Sequence, residues 1–209
     1  MLVDQSGNAW FGYGPNGYGV SVLQGIYPPN QTPAANAGPD QTAIVDEQVT
    51  LDGSGSSDPD GDSLTYLWTE DPDNPQTGIL FNPTAVSPTF IPTIAGTYTF
   101  TLVVNDGVEN SQPDTVVVTV KTPAQAIQDL ADLVETFNLQ QGMTNSLDAK
   151  LDSAVNALDD LNENNDVVAV NSLYAFINAV EAQRGKSITD AQADELIEVA
   201  QRIIANISP

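Results

Sequence analysis

Three aspartates, Asp58, Asp60 and Asp62, stand at alternate positions in "GSGSSDPDGDSLTYLW", residues 53–68, with Pro59 and Gly61 between them. Carboxylates spaced this way in a Pro/Gly turn can do three things: hold a hard cation, form a catalytic pair, or cap backbone amides. Calcium is the cation of interest, because it collects several oxygen ligands in irregular backbone and a D-x-D step can converge two of them. An EF-hand is ruled out, since its loop needs Gly at the sixth position and an acid at the twelfth. Counted from Asp58, those places hold Ser63 and Thr69. A carboxylate pair can also hydrolyse a glycosidic bond, but no base, nucleophile or pocket signature accompanies this turn, and no catalytic residue is assigned. Asp58 and Asp62 acting only as turn caps is the remaining alternative, because Asp readily accepts hydrogen bonds from nearby amides.

Composition narrows the chemistry further. The 209 residues include 28 acids against 5 Lys and Arg, a formal net charge of -23. Such a chain repels phosphates and anionic lipid, so nucleic acid and anionic membrane surfaces are not expected partners. It has no histidine and no cysteine, which removes serine–histidine triads, histidine-based zinc sites, thiol nucleophiles and disulfides. No apolar run is long enough for a membrane-spanning helix. "MLVDQSGNAWFGYG" lacks the regions of a signal peptide, so export is expected to be encoded elsewhere or the chain to be a piece of a longer one.

The elements that must position the turn fall into three regions. Residues 1–29 are rich in Gly and aromatics and read as one β-hairpin or arm, "AWFGY" and "GVSVLQGI" about the turn-rich "GPNGYG". A lone hairpin is marginal in water. Trp10, Phe11, Tyr13 and Tyr18 are therefore expected either to bury themselves on a neighbour or to form an aromatic platform for a sugar. Residues 30–121 read as six or seven short strands separated by Gly, Pro and Asp, which predicts a two-sheet sandwich with Trp68 as its core plug. In "TYTFTLVVN" the alternation puts Tyr98, Phe100, Leu102 and Val104 on one face and Thr97, Thr99 and Thr101 on the other.

Residues 122–125 are expected to link this region to a helical one spanning 126–209. Four segments there carry apolar residues at helical spacing. The predicted faces are Ile127, Leu130, Val134 and Phe137; Leu147, Leu151, Val155 and Leu158; Val170, Leu173, Phe176, Ile177 and Val180; and Ala193, Leu196, Ile197, Ala200, Ile203, Ile204 and Ile207. Thr189 with Gln192 forms a capping box, and Gly142 and Gly185 are expected just past helix ends. Short connections predict a four-helix up-down bundle. The acidic "NENNDVV" near residue 165 reads as a connection with Asp166 as a cap. "NQT" and "NIS" match the glycosylation acceptor pattern, which is frequent by chance.

Three family resemblances follow. "PAANAGPDQTAIVDEQVTLDGSGSSDPDGDSLTYLWT…AGTYTFTLVVNDGVENS" strongly resembles a PKD domain over residues 30–121, which implies an immunoglobulin-like antiparallel β-sandwich. Many members continue after the tryptophan as "DFGDG", whereas "TEDPDNPQTG" follows here. The resemblance implies a calcium site: calcium-binding members use the D-x-D turn, a late aspartate and the residues leading into the domain. The matching positions are Asp58, Asp60, Asp106, and Asn30 or the Gln31 carbonyl, with Asp62 in addition. A metal there would stiffen the junction with the preceding region. Residues 126–207, through "FINAVEAQRGK" and the helix after it, resemble the FIMAH domain, a small helical unit that often closes large secreted bacterial proteins. "VDQSGNAWFGY" is similar to a blade hairpin of streptogramin-lyase-like β-propellers, through Asp4, Gly7, Asn8, Trp10 and Phe11.

The expected function is a non-catalytic, extracellular or cell-surface module pair of a microbial protein, engaging a protein or glycan. The alternative is a subunit of a self-assembling filament, its N-terminal arm adding a strand to the next copy. An enzyme would need an active site that these residues do not display.

Overall fold

The computed structural model describes residues 2–3, 9–11, 21–23, 29–158 and 165–207. Near the N-terminus β1 (Leu2–Val3), β2 (Ala9–Phe11) and β3 (Ser21–Leu23) form an antiparallel sheet in the order β1-β2-β3, with Trp10 paired to both Leu2 and Val22. Tyr13 and Tyr18, and the side chains of Trp10 and Phe11, lie outside the described residues.

Six further strands follow: β4 (Gln41–Ile44), β5 (Val49–Thr50), β6 (Thr65–Glu70), β7 (Thr89–Phe90), β8 (Gly96–Asn105) and β9 (Asp114–Lys121). They make a four-stranded sheet, β4-β9-β8-β6, and a two-stranded one, β5-β7. Residues 42–51 do not make one continuous strand: a turn in which Asp46 takes φ 66° separates β4 from β5. One pairing departs from the expected antiparallel arrangement. β4 runs parallel to β9, Gln41 opposite Val118, because the first and last strands travel the same way and are joined through the whole domain rather than by a turn. "GILFN" contributes only a bridge, Phe81 to Thr89.

By its internal packing the chain divides into two compact units. One comprises Met1–Asp40, Thr50–Phe90 and Thr99–Val117; the other Gln41–Val49, Ile91–Tyr98 and Val118–Pro209. In the first, Leu51, Trp68, Phe90, Phe100, Leu102, Val104 and Val116 are buried, and the rings of Phe90 and Phe100 lie 4.6 Å apart between centroids, tilted by 44°. Gly53 explains the "DGSG" signature. A Cβ there would meet Val86 O at 3.0 Å, Trp68 Cζ2 at 3.1 Å and Leu102 Cδ2 at 3.2 Å, so the turn lies against the tryptophan only without a side chain. The stretch that replaces "DFGDG" has its own device. The Glu70 carboxylate accepts from three successive amides, Gly78, Ile79 (2.9 Å) and Leu80 (2.6 Å). Trp68 N donates to Pro83 O at 2.8 Å, so the outer edge of β6 is occupied as well.

In the second unit Tyr98 is buried, and its hydroxyl donates to Ile94 O at 2.8 Å. The helices are α1 (Pro123–Thr136), α2 (Gln141–Leu158), α3 (Asn165–Gln183) and α4 (Asp190–Ile207). Each packs on the next, and α1 also packs on α4. Their shared core takes Ile127, Leu130, Val134, Leu147, Leu151, Leu173, Phe176, Val180, Ala193, Leu196, Ala200, Ile203, Ile204 and Ile207, with Val155, Val170, Ile177, Phe137 and Leu158 partly buried against it. Ile44 of β4 enters the same core. Residues 122–125, expected as a linker, are the N-cap and first turn of α1. Thr122 Oγ1 accepts from Gln125 N while Gln125 Oε1 accepts from Thr122 N, and Pro123 opens the helix. The Thr189–Gln192 box caps α4 as expected. Gly185, at φ 68°, follows α3. Gly142 does not end a helix: it lies in the first turn of α2, and the left-handed residue after α1 is Asn138, at φ 50°.

Arg202 of α4 donates to both Glu47 oxygens, at 2.8 and 2.7 Å, and to Thr42 O at 2.7 Å. Glu47 Oε2 in turn accepts from Ile44 N at 2.9 Å. Two backbone groups of the edge strand β4 that could template another strand are thereby occupied, one of the ways proteins protect sheet edges.

Candidate metal centre

The acidic turn is built by local backbone chemistry. Pro59 and Gly61, the latter at φ 83°, shape the bend. Asp58 Oδ1 then accepts from Asp60 N at 2.9 Å and Asp62 N at 3.0 Å. This is the turn cap that the sequence left as an alternative, yet it uses only one oxygen of Asp58. The other, Oδ2, is buried and has no hydrogen-bond partner among the described residues. Asp58, Asp60 and Asp62 each present an oxygen within 4.8 Å of the other two. An orphaned carboxylate oxygen is costly to bury, and a cation drawing on three carboxylates would satisfy it. The donor set is all oxygen, which suits calcium or magnesium rather than zinc.

Asn30 and Asp106 are bonded to each other. Asn30 Nδ2 donates to Asp106 Oδ2 at 2.9 Å, and Asp106 Oδ1 caps its own turn, accepting from Val108 N at 2.7 Å and Glu109 N at 2.8 Å. The Asn30 hydrogen bond, followed by the Glu109 amide, holds the Asp106 carboxyl below the usual aspartate range despite its burial. The neighbouring residue makes the link to the acidic turn. Gln31 N donates to Asp60 Oδ2 at 2.6 Å and Gln31 Nε2 to Asp60 Oδ1 at 2.9 Å. Thr32 Oγ1 adds a bond to Glu109 Oε1 at 2.8 Å. Residues 30–32 are therefore fastened by side-chain bonds to two separate turns. The family resemblance pointed to Asn30 or the Gln31 carbonyl. In the structure the Gln31 amide and side chain hold Asp60, a role that only the folded proximity of residues 31 and 60 reveals.

With this geometry in place, comparison with known proteins identifies the β region. The family model of the K319L-like PKD domain matches residues 37–120. Residues 37–120 are thus similar to a PKD domain. The mouse Dyslexia-associated protein KIAA0319-like protein is 34% identical over 115 residues, 54% of this chain, and the chain spans 11% of that relative's length. The solution structure of the PKD domain from KIAA 1837 protein is 37% identical, covering 42% of this chain and 85% of that one at a TM-score of 0.36. A nucleoside hydrolase-related hypothetical protein from Saccharophagus degradans, associated with carbohydrate metabolism, is 30% identical over 44% of this chain and 26% of its own, at a TM-score of 0.39.

Proposed function

We propose that this chain is a non-catalytic extracellular module in which a PKD domain, followed by a FIMAH-like up-down helical bundle, presents a surface to a protein or glycan partner. In this reading calcium at Asp58, Asp60 and Asp62 stiffens the segment leading into the domain. One observation carries it: Asp58 Oδ2, buried and without a hydrogen-bond partner among the described residues, belongs to a turn whose middle aspartate already grips Gln31. A cation that fixes Asp60 fixes Gln31 with it, so metal binding is transmitted to residues 30–32. The role is mechanical, and the absence of His and Cys from the whole chain agrees with it.

Calorimetric titration of chelator-treated chain with calcium, at constant ionic strength, tests the reading. A single site is expected, together with a stabilisation of about 2.7 kcal/mol when calcium reaches one hundred times its dissociation constant. Asp62→Asn should abolish it without disturbing the fold, because the Asp62 carboxylate makes no hydrogen bond among the described residues. A melting temperature indifferent to calcium in the parent chain would sink the proposal.

A further inference from the structure

We propose that the groove between the start of β8, the end of β9 and α1 binds a neutral saccharide, which would give the module proposed above its glycan-binding site. The inference rests on that reading for its partner class and on different residues for its chemistry. The groove has a volume of about 480 Å³, within the range of small-ligand sites. Its polar lining is Thr97 and Thr119 from the strands, Lys121 at the strand end, and Gln125, Gln128 and Asp129 from the helix. Thr97 and Thr119 are exposed, and their hydroxyls make no hydrogen bond among the described residues. Each can therefore donate and accept. Ala95 and Gly96 leave the floor free of bulk, where the C–H face of a pyranose ring can rest.

Charge decides against the other ligand classes. Lys121 Nζ is paired with Asp129 Oδ2, so the one cation in the groove is already neutralised, and a chain of net charge -23 repels an anion. The same pair removes Asp129 as a free cation ligand. Among the described residues that line it none is aromatic, and Val120, the largest apolar one, is buried. β9 lies between β4 and β8, so it has no backbone edge for a peptide to extend. What remains on offer is a set of neutral or internally balanced donors and acceptors. Asp129 Oδ1 can still accept, the Lys121 ammonium can still donate, and the Gln128 amide can do both. That mixture matches vicinal hydroxyls, each of which is donor and acceptor at once.

The test is amide NMR of the isotope-labelled full chain with maltotriose, cellotriose, xylotriose and N,N′,N″-triacetylchitotriose. An open groove of this kind should bind with a dissociation constant on the order of 1 mM. At least one sugar should shift the Gly96, Thr97, Thr119 and Gln128 resonances. Thr97→Val with Thr119→Val, which removes both hydroxyls at near-constant volume, should weaken it about tenfold. Gln128→Ala, on the exposed face of α1, serves as a second variant should the double one fold poorly. Absence of shifts at these residues with all four sugars at about 20 mM overturns the proposal. So do unchanged binding by the variants and tighter binding of trigalacturonic acid than of any neutral sugar. Loss of sugar binding beside an intact calcium response removes the groove and leaves the calcium reading standing.

Discussion

Asp148 shows how much one carboxylate can depend on its surroundings. Its Oδ1 is buried with no hydrogen-bond partner among the described residues, and burial, reinforced by the charges of Glu135 and Asp152, pushes its carboxyl above the ordinary aspartate range. The folded chain thus holds this proton more tightly than the unfolded chain does. Asp148 opposes folding once the pH has risen past about 3.9, the unfolded value, and does so in full at neutral pH. Asp148→Asn should stabilise the chain at pH 7 by about 0.5 kcal/mol, discounted for the solvent that still reaches the group. The gain should vanish near pH 3, as urea unfolding at the two pH values would show. Asp106 has the opposite sign: its lowered value supplies stability above the unfolded pKa that is lost as the pH falls through the folded one. The D-x-D step was legible in the sequence because both partners of each cap lie within four residues. The Asp148 environment was not, since helical spacing marks Leu147 and Leu151 as the inward face and says nothing of how far Asp148 beside them is covered once α1 packs on α2. The Asn30–Asp106 bond, spanning 76 positions, was suggested only by family resemblance, and then as shared metal ligation rather than direct contact.

Among the elements, the helices were the most readable, because a period near 3.6 marks the buried face whatever lies opposite it. Their ends were less so. Asn138 took the left-handed place after α1 that Gly142 seemed suited to, since α2 begins one residue before the glycine. β4 and β5 merge in the sequence because no glycine or proline marks the turn at Asp46. Nor did any periodic signal tie Arg202 to Glu47, which lies 155 positions away. Burial alone would raise the Glu47 carboxyl, but the hydrogen bonds from Arg202 and the Ile44 amide, with the Arg202 charge, hold it below its usual range. Arg202→Met should cost about 1 kcal/mol, given how much water reaches the pair. Arg202→Lys should recover only part of it, because an ammonium cannot bridge two carboxylate oxygens and a carbonyl in one plane. Thermal unfolding of the three chains measures this, and hydrogen exchange at Thr42–Val45 should accelerate in the methionine variant.

At the scale of the molecule, charge dominates. A net charge of -23 spread over 209 residues penalises the compact state, and salt screens it within about 10 Å at 0.1 M. Raising potassium chloride from about 20 to about 200 mM should therefore raise the melting temperature. Calcium should add a further increment at fixed ionic strength, and Asp62→Asn should remove that increment alone. A salt-independent melting temperature would mean that the acids are too dispersed to repel. The division into a β region and a helical region was plain from composition, because proline and β-branched residues give way to alanine and leucine near residue 124. The parallel β4–β9 pair was not, since pairing between distant strands leaves no mark on local patterning.

The Glu70 carboxylate has a practical consequence. It pins the amides of Gly78, Ile79 and Leu80, while Asn74 is held to both backbone groups of Thr99, at 3.1 and 2.8 Å. The stretch between Asn74 and Gly78 is thus moored at both ends by bonds that do not depend on its own length. Doubling such a loop costs only about 0.6 kcal/mol in closure entropy. This makes it the natural place to graft a foreign epitope or affinity tag, displayed as a tethered bight whose moorings lie outside the inserted segment.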